Sequence, residues 1–474
     1  MQGPGLPVFL LASLLGCSGS SQVCDRNTYG SDPERISLAM FDGDVAATTA
    51  ALLAGMESRG TQLGCAELEV PRDAIDDTPA DLTGIRDRWS RLHGPALATY
   101  PACPDIGRAW PAAGLGGHYA RLAGVPVDEG VLAAIADDAA ATQYGPATVG
   151  TPTITPRGVY AIDLSISDAG SPCRRTGSLG KAVEKICDEH GEAACITYTE
   201  GEWAGRRFVV ADVFPDANSL DGGLSYDHAW TAAMMLEHIT QLGAQADPEL
   251  VASFLLAAQW AADEPALRNH NYTAKDIWVL ALAYNAFGEL DTRAALLDKL
   301  DRSLLPGVLM DADEDGIVDG TEVRFADLAE YAQRPGRMWD GHNALQWYHA
   351  MNTWALVESY VAFRDRGDDA EAERVRPYME AMLDNLSWEL TNLGPVNAGE
   401  PRHPTPWAFA TALWKVADYE DTPRPEWERA AWVLWNTPHL DEATGNRTTA
   451  HVGLYLVRAS GVPYVPYAER MVIP

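Results

Sequence analysis

The side chains of this chain that are best suited to chemistry concentrate between Arg268 and Trp354. Three clusters in this segment, at residues 269–272, 337–343 and 347–349, combine amide, imidazole, phenol and guanidinium groups. Amide and imidazole groups can neutralise a carboxylate, and a phenol can move a proton. The mixture therefore favours abstraction of a proton beside a carboxylate over the packing of a hydrophobic core.

Asn269 and His270 lie just before a predicted helix that Thr273 to Asp276 open with a pattern similar to a capping box. A helix N-terminus carries partial positive charge and favours an anion. Asn269 and His270 are therefore candidates for holding a sugar carboxylate. The alternative is a polar loop that only caps its own helix.

A second candidate group lies in the first turns of the next long helix, at Tyr348 and His349. Consecutive side chains on a helix diverge by about 100°, so these two cannot point at the same atom, and one of them is expected to pack. Arg334 and Arg337 precede this helix and make a locally basic region, which suits an anion. Tyr348 and Arg337 are candidate catalytic residues, whereas His349 and Arg334 are candidate substrate contacts.

Trp339 and Trp347 are candidates for stacking on sugar faces. Trp354 and Trp414 share this possibility. For each of the four, packing between helices is the alternative.

Residues 311–322 have the spacing of a twelve-residue calcium loop, with Gly316 at the sharp turn. The predicted ligands are Asp311, Asp313, Asp315, Ile317 through its carbonyl, Asp319 and Glu322. Residues 304–307 break the chain first, so we expect a lone structural Ca²⁺ loop without an incoming helix. A solvated acidic turn and a catalytic metal are the alternatives.

The order of these motifs, Asn-His-x-Tyr, a helix, an acidic turn, an Arg and then Tyr-His on a long helix, resembles the alginate-lyase-type polysaccharide lyases of α/α-toroid fold. The resemblance covers residues 268–354. It implies that Asn269 and His270 neutralise a uronate carboxylate, that Tyr348 moves the proton and that Arg337 supports it. The chain departs from the family in a longer acidic-turn connection and in Met351, which stands where the family's catalytic Tyr falls.

The resemblance implies a lyase that cleaves a uronic-acid-containing glycan by β-elimination, with an anionic polysaccharide as its partner. One alternative is a toroidal glycoside hydrolase, which needs two carboxylates across a cleft. Asp227, Asp276 and Asp340 are candidates for that role. The other alternative is a surface protein that binds glycans without cleaving them.

Residues 226–474 repeat an amphipathic helix, a short turn and another helix. The predicted helices are 226–243, 247–263, 273–288, 291–305, 322–333, 343–366, 369–389, 406–419, 424–436 and 449–460. Helices at 35–58, 81–94 and 128–141 bring the number near twelve. The pattern predicts a mainly α fold, an α/α toroid that is either incomplete or a full (α/α)6 barrel.

Residues 146–225 are different, with β-rich runs at 158–167, 194–199 and 207–214 around a short helix near 178–190. They predict a small β-rich insertion. Six cysteines precede residue 200 in addition to Cys17, and an exported protein could join them in up to three disulfides.

The first sixteen residues have a short apolar run of the kind found in signal peptides, and residues 14–18 resemble a bacterial lipobox. The expectation is cleavage before Cys17, lipid on its thiol, and a tether with N-terminal helices over residues 17–145. A plain secretory signal is the alternative. No other stretch is apolar enough to span a membrane, so contact with a membrane is expected only through the lipid anchor.

The chain carries a formal charge of −32, with 67 acidic and 35 basic residues. Phosphate binding needs a basic face, so this charge argues against nucleic acid as a partner. It suits an exported protein whose surface acids keep it solvated in salty surroundings. It also requires that any cleft for an anionic substrate be locally basic.

Overall fold

The structure is a computed structural model and is mostly helical. It describes residues 76–79, 81–92, 94–98, 109–141, 143, 160, 195–197, 207–209, 223–264, 270–309, 324–325, 346–392, 408–416, 419, 424–436 and 446–471.

Six helices in the described part of the chain are buried along most of the length that can be assessed. They are α3 (Ala109–Leu122), α5 (Gly223–Leu242), α7 (His270–Phe287), α9 (Gln346–Asp365), α11 (Ala408–Val416) and α13 (Asn446–Ala459). In α7, every residue from His270 to Ala286 is buried. A helix that is apolar on all sides must be surrounded by other helices.

The helices that alternate with these along the chain bury one face and expose the other. They are α1 (Leu82–Leu92), α4 (Glu129–Ala141), α6 (Pro248–Asp263), α8 (Leu290–Lys299), α10 (Asp369–Asn392) and α12 (Pro425–Asn436). The five-residue helix α2 (Gly94–Ala98) joins α1 to α3. Each of these amphipathic helices packs against at least one of the buried six.

The six buried helices contact one another in cyclic order. Helix α3 packs on α5, α5 on α7, α7 on α9, α9 on α11, α11 on α13, and α13 returns to α3. We call this set, within the described residues, the helix ring. The contact that closes it joins the first and the last of these helices in the sequence.

Glycine makes this closing contact possible. A Cβ at Gly453 of α13 would lie 2.7 Å from the Gly116 backbone oxygen of α3 and 3.2 Å from its Cα. Such contacts do not occur between real atoms, so the two backbones can approach this closely only without side chains. Gly116 in α3 and Gly453 in α13 therefore serve the packing of these two helices.

The ring helices run in the same direction. Trp230, Trp278 and Trp354 lie at similar depths in α5, α7 and α9, and their rings cluster with centroids 4.0–5.6 Å apart. Near the last turns, Asn285 of α7 donates a hydrogen bond to Asp365 of α9. The N-terminal ends of these helices are therefore together at one end of the ring and the C-terminal ends at the other.

Each ring helix and the outer helix that follows it run in opposite directions, because short connections join them. Two residues separate α7 from α8, and three separate α9 from α10. Gly288 and Gly367 in these turns have φ angles of 70° and 74°, in the left-handed region that favours glycine. A further segment, residues 462–471, follows α13 and carries α14 (Tyr467–Arg470), which packs on α5 and α7. We call it the closing segment.

Two strand pairs are also described. Strands β1 (Cys195–Thr197) and β2 (Arg207–Val209) pair antiparallel within two of the predicted β-rich runs. Strands β3 (Val308–Leu309) and β4 (Arg324–Phe325) also pair antiparallel. The second pair corrects the predicted helix over 322–333, because Arg324 and Phe325 are extended and form a ladder with β3.

Eleven of the predicted helices correspond to described ones within a few residues. Helix α7 begins at His270 rather than at 273, so His270 is its first residue and not part of a preceding loop. The end of the helix predicted over 291–305 is also corrected: α8 ends at Lys299 and continues as a π-helical turn, Leu300–Leu304. Helix α3 was not predicted. The prediction at 35–58 and the short helix near 178–190 lie outside the described residues, and none of the described helices is long and apolar enough to cross a bilayer.

Candidate functional site

Two of the three chemical clusters of the sequence come together at one end of the ring. His270 begins α7, Tyr348 and His349 lie in the first turn of α9, and these two helices are neighbours. Because both helices start at the same end of the ring, His270 and Tyr348, which are 78 positions apart in the sequence, share that end. We call it the candidate end.

His270 is buried, with 1% of its surface exposed. Burial penalises the imidazolium and lowers the pKa of His270 to about 4, against the opposing effect of a hydrogen bond with the Ser303 backbone. Ser303 belongs to the π-helical turn after α8. The imidazole is therefore neutral at neutral pH and ties the start of α7 to the segment that leads into β3.

The first turns of α7 carry further buried polar groups. Asn271 and Thr273 are fully buried, and Lys275 and Asp276 are 1% exposed. The Asp276 carboxylate lies 3.7 Å from the Lys299 ammonium, which is equally buried. This ion pair fixes α8 on α7, so Asp276 has a structural partner and is a poor candidate for a catalytic carboxylate.

The first turns of α9 contain residues of different exposure. Tyr348 is half-buried and packs against the core, whereas Trp347 and His349 are 3% and 1% exposed. The different exposure of Tyr348 and His349 agrees with their divergence on the helix. Trp347 belongs to the hydrophobic core, so a sugar could reach it only if the residues that cover it moved.

Buried polar residues that the sequence analysis did not assign lie one turn further along α9. Asn352 and Thr353 are fully buried, and the Thr353 hydroxyl donates to the His349 carbonyl at 2.8 Å. Their signal in the sequence is a polar residue three positions after His349 within a helix that is otherwise apolar. They add an amide to the groups at the candidate end.

The remaining predicted site residues lie outside the described residues. They are Asn269, Arg334, Arg337, Trp339, Asp340, the calcium ligands Asp311, Asp313, Asp315, Ile317, Asp319 and Glu322, and the lipidation site Cys17. Their proximity to His270 and Tyr348 therefore stays a prediction. The side chains of Asp227 and Trp414 are not described either.

The frame of the predicted calcium loop is described even though its ligands are not. Leu309 pairs with Arg324, so β3 and β4 hold the two ends of residues 310–323 together. Strands, and not helices, flank this loop, which agrees with the expectation of a lone loop without an incoming helix. Among the residues that the structure describes, no group of three His, Cys, Asp or Glu side chains is arranged to hold a metal ion.

His228 illustrates a buried histidine with a structural role. Its ring accepts a hydrogen bond from the Tyr160 backbone at 3.4 Å, and its Nε2 lies 3.0 Å from the Ala257 carbonyl. Burial lowers the pKa of His228 to about 3. The neutral ring thus joins α5 to α6 through fixed hydrogen bonds, and it is a weak candidate for a general base.

Comparisons of the chain with protein-family models, with curated proteins and with solved structures found no match.

Proposed function

We propose that this protein is an α/α-toroid polysaccharide lyase that cleaves a uronic-acid-containing glycan by β-elimination at the candidate end. The cyclic contacts of the helix ring, with an outer helix between each two inner helices that follow one another in the chain, support an (α/α)6 barrel. The observation that carries the functional proposal is the convergence of His270 and Tyr348 on neighbouring helix starts. Six parallel helices also direct the positive ends of their dipoles toward a substrate carboxylate.

In the proposed reaction, Asn269 and His270 hold the uronate carboxylate, and Tyr348 takes the proton from the adjacent carbon. The electron pair of the broken C–H bond forms the new C=C bond, and the glycosidic oxygen leaves with a proton returned by Tyr348. Arg337 stabilises the charged form of the phenol. Neutralising the carboxylate is the step with the largest expected gain, because the negative charge develops there.

Because His270 is buried, its protonation should change when substrate binds in this scheme. Its pKa is lowered to about 4, chiefly by burial. A bound carboxylate would favour the imidazolium and raise the pKa of His270. Substrate binding should therefore be accompanied by proton uptake near neutral pH, and it should strengthen as the pH falls toward 6.

The decisive experiment is digestion of a panel of uronic-acid glycans, scored for unsaturated sugar ends by ultraviolet absorbance and mass spectrometry. Tyr348→Phe should lose most turnover, by about 10²–10⁴-fold, while costing less than about 1 kcal/mol of stability. Tyr378→Phe is the matched control, because Tyr378 is also half-buried but lies on the outer helix α10.

Other outcomes of the same digestion select the alternatives. New reducing ends without unsaturation would identify a glycoside hydrolase. Retention of a glycan without cleavage would identify a binding protein. Full lyase activity in Tyr348→Phe would remove Tyr348 from the mechanism.

We further propose that the protein is an exported lipoprotein anchored through Cys17, and that residues 146–225 form a β-rich insertion. The pairing of β1 with β2 supports the insertion. The lipobox-like residues 14–18 support the anchor. Recovery of wild-type protein entirely in soluble fractions, with no change in Cys17→Ser, would contradict the anchor.

A further inference from the structure

The end of the ring opposite the candidate end contains a network of buried charges. Lys415 of α11 donates to both carboxylate oxygens of Glu358 of α9, at 2.6 and 2.7 Å. Arg470 of the closing segment donates to Glu237 of α5 at 2.6 Å. Glu237, Glu358 and Lys415 are at most 2% exposed, and the Arg470 side chain is 14% exposed.

Tyr467 of the closing segment joins the two ion pairs. Its hydroxyl donates to Glu237 at 2.7 Å and accepts from Lys415 at 3.2 Å. Its ring also faces both cations, with 4.9 Å from its centroid to the Lys415 nitrogen and 5.2 Å to the Arg470 guanidinium carbon. One side chain of the closing segment thus connects the charges of three ring helices.

The division of these charges between the ring and the closing segment is uneven. The ring contributes two carboxylates, Glu237 and Glu358, but one cation, Lys415. The closing segment contributes the second cation, Arg470, and so makes this network neutral. Burial raises the pKa of Glu237, but the charge and the hydrogen bonds of Arg470, with that of Tyr467, outweigh it and lower the pKa overall.

The local structure of the closing segment cannot account for its order. Helix α14 has four residues, far fewer than an isolated helix needs in water. Its amide hydrogen bonds, from Glu469 and Arg470 to the Pro466 carbonyl and from Met471 to the Tyr467 carbonyl, therefore depend on docking.

A second contact fastens the other half of the closing segment. The Tyr464 hydroxyl donates to Asp365 at 3.0 Å, and the same carboxylate accepts from Asn285 and Tyr419. The segment thus meets the last turns of α7 and α9 through Tyr464. The ring helices also contact one another directly.

We propose that the closing segment is an ionic latch: it docks on the C-terminal end of the ring because Arg470 neutralises Glu237, and it opens as a unit while the helix ring stays folded. This inference goes beyond the proposed lyase function and does not depend on it.

Hydrogen exchange of the α14 amides in the full-length protein tests the latch. Arg470→Met leaves Glu237 buried with no guanidinium, so the amides of Glu469, Arg470 and Met471 should exchange roughly 100-fold faster, while those in the middle of α7 keep their protection. Arg302→Met is the control, because Arg302 pairs with the half-exposed Asp298 outside this network. It should leave α14 unchanged.

The double variant Glu237→Gln with Arg470→Met separates charge from packing. It removes both members of the pair, so the α14 amides should recover most of their protection relative to Arg470→Met alone. Equal exchange in the double and the single variant would overturn the proposal, as would wild-type exchange in Arg470→Met.

If Arg470→Met does not fold, the double variant and the milder Tyr467→Phe decide. Tyr467→Phe removes one hydroxyl and should speed α14 exchange by about tenfold with the ring intact. Simultaneous loss of protection in α14 and in the middle of α7 would mean that the segment does not open separately, which contradicts the latch.

Discussion

The two ends of the helix ring use buried polar groups for different purposes. At the C-terminal ends of the helices, Glu237, Glu358, Lys415 and Arg470 form charges that neutralise one another. At the candidate end, the buried groups at the helix starts include the neutral His270, Asn271 and Asn352 beside one ion pair, Asp276 with Lys299. Balanced charges stabilise the C-terminal end of the ring, which we call the closed end. Neutral donors, in contrast, can bind the charge of a ligand.

Helix dipoles strengthen this difference. The ring helices run in parallel, so their partial negative charges meet at the closed end and their partial positive charges at the candidate end. Lys415 in the last turn of α11 and Arg470 in α14 complement the negative end. The comparison predicts that substitutions at the closed end change stability, while substitutions at the candidate end change chemistry.

The largest expected effect is that of Lys415→Met at the closed end. It leaves the Glu358 carboxylate buried without its ammonium, which should cost about 3–5 kcal/mol of unfolding free energy in urea denaturation. Activity per folded molecule should stay unchanged. Arg302→Gln, which breaks a half-exposed pair, should cost no more than about 0.5 kcal/mol. If Lys415→Met lost activity without losing stability, the assignment of stability to the closed end and of chemistry to the candidate end would be wrong.

If residues 311–322 bind calcium as the sequence predicts, its removal should act on the segment whose two ends β3 and β4 join. At a free calcium concentration 100 times the dissociation constant, chelation should cost about 2.7 kcal/mol. Asp313→Ala should lower the melting temperature as chelator does and be insensitive to further chelator. An unchanged melting temperature of the wild type in excess chelator would exclude the calcium loop.

Gly453→Ala tests the contact between α3 and α13 that closes the helix ring. The added Cβ meets the Gly116 backbone, which cannot rotate away, so we expect a loss of about 1–3 kcal/mol. Gly94→Ala is the control, because no atom lies within 4 Å of its Cβ position. If the two variants melted alike, α3 and α13 would not pack as closely as described.

Acid lowers stability through buried histidines near both ends, with an effect that is small just below pH 6.5 and grows as the pH falls. The pKa values of His118 and His228 are lowered to about 3, chiefly by burial. Because the unfolded state binds these protons from about pH 6.5 downward, stability is complete above that pH and falls as the pH decreases toward 3. Each histidine should contribute about 1.4 kcal/mol per pH unit in this window.

Urea denaturation at pH 7, 6 and 5 measures this slope. His228→Gln should reduce the slope of the unfolding free energy against pH by the contribution of one histidine. A slope that stays the same in the variant would show that His228 does not titrate as its burial requires.

The sequence predicted most helices because their apolar positions recur at helical spacing and because proline and glycine mark their ends. It did not predict α3, since Pro111, Gly114, Gly116 and Gly117 all disfavour a helix locally. Gly116 allows the close approach to α13, and Gly114 and Gly117 lie against side chains of neighbouring elements, which are tertiary effects. Local propensity could not reveal them.

The candidate end was partly predictable and the closed end was not. His270 and Tyr348 belong to short motifs that can be recognised within one segment of the sequence. Glu237, Lys415 and Arg470 are dispersed over more than half of the chain, and in a protein with 67 acidic residues a single Glu resembles a surface charge. Their pairing depends on the ring, which only the folded structure provides.

Closure of the ring between its first and last helices has a consequence for how the protein reaches its native state. Arg88 of α1 donates to the Trp435 carbonyl across 347 residues of sequence, and α3 packs on α13 in the same region. Contacts of such high sequence separation form late and slow folding. A growing chain therefore leaves uncovered the apolar surface of α3 that α13 covers until α13 has been synthesised, which favours aggregation before folding is complete.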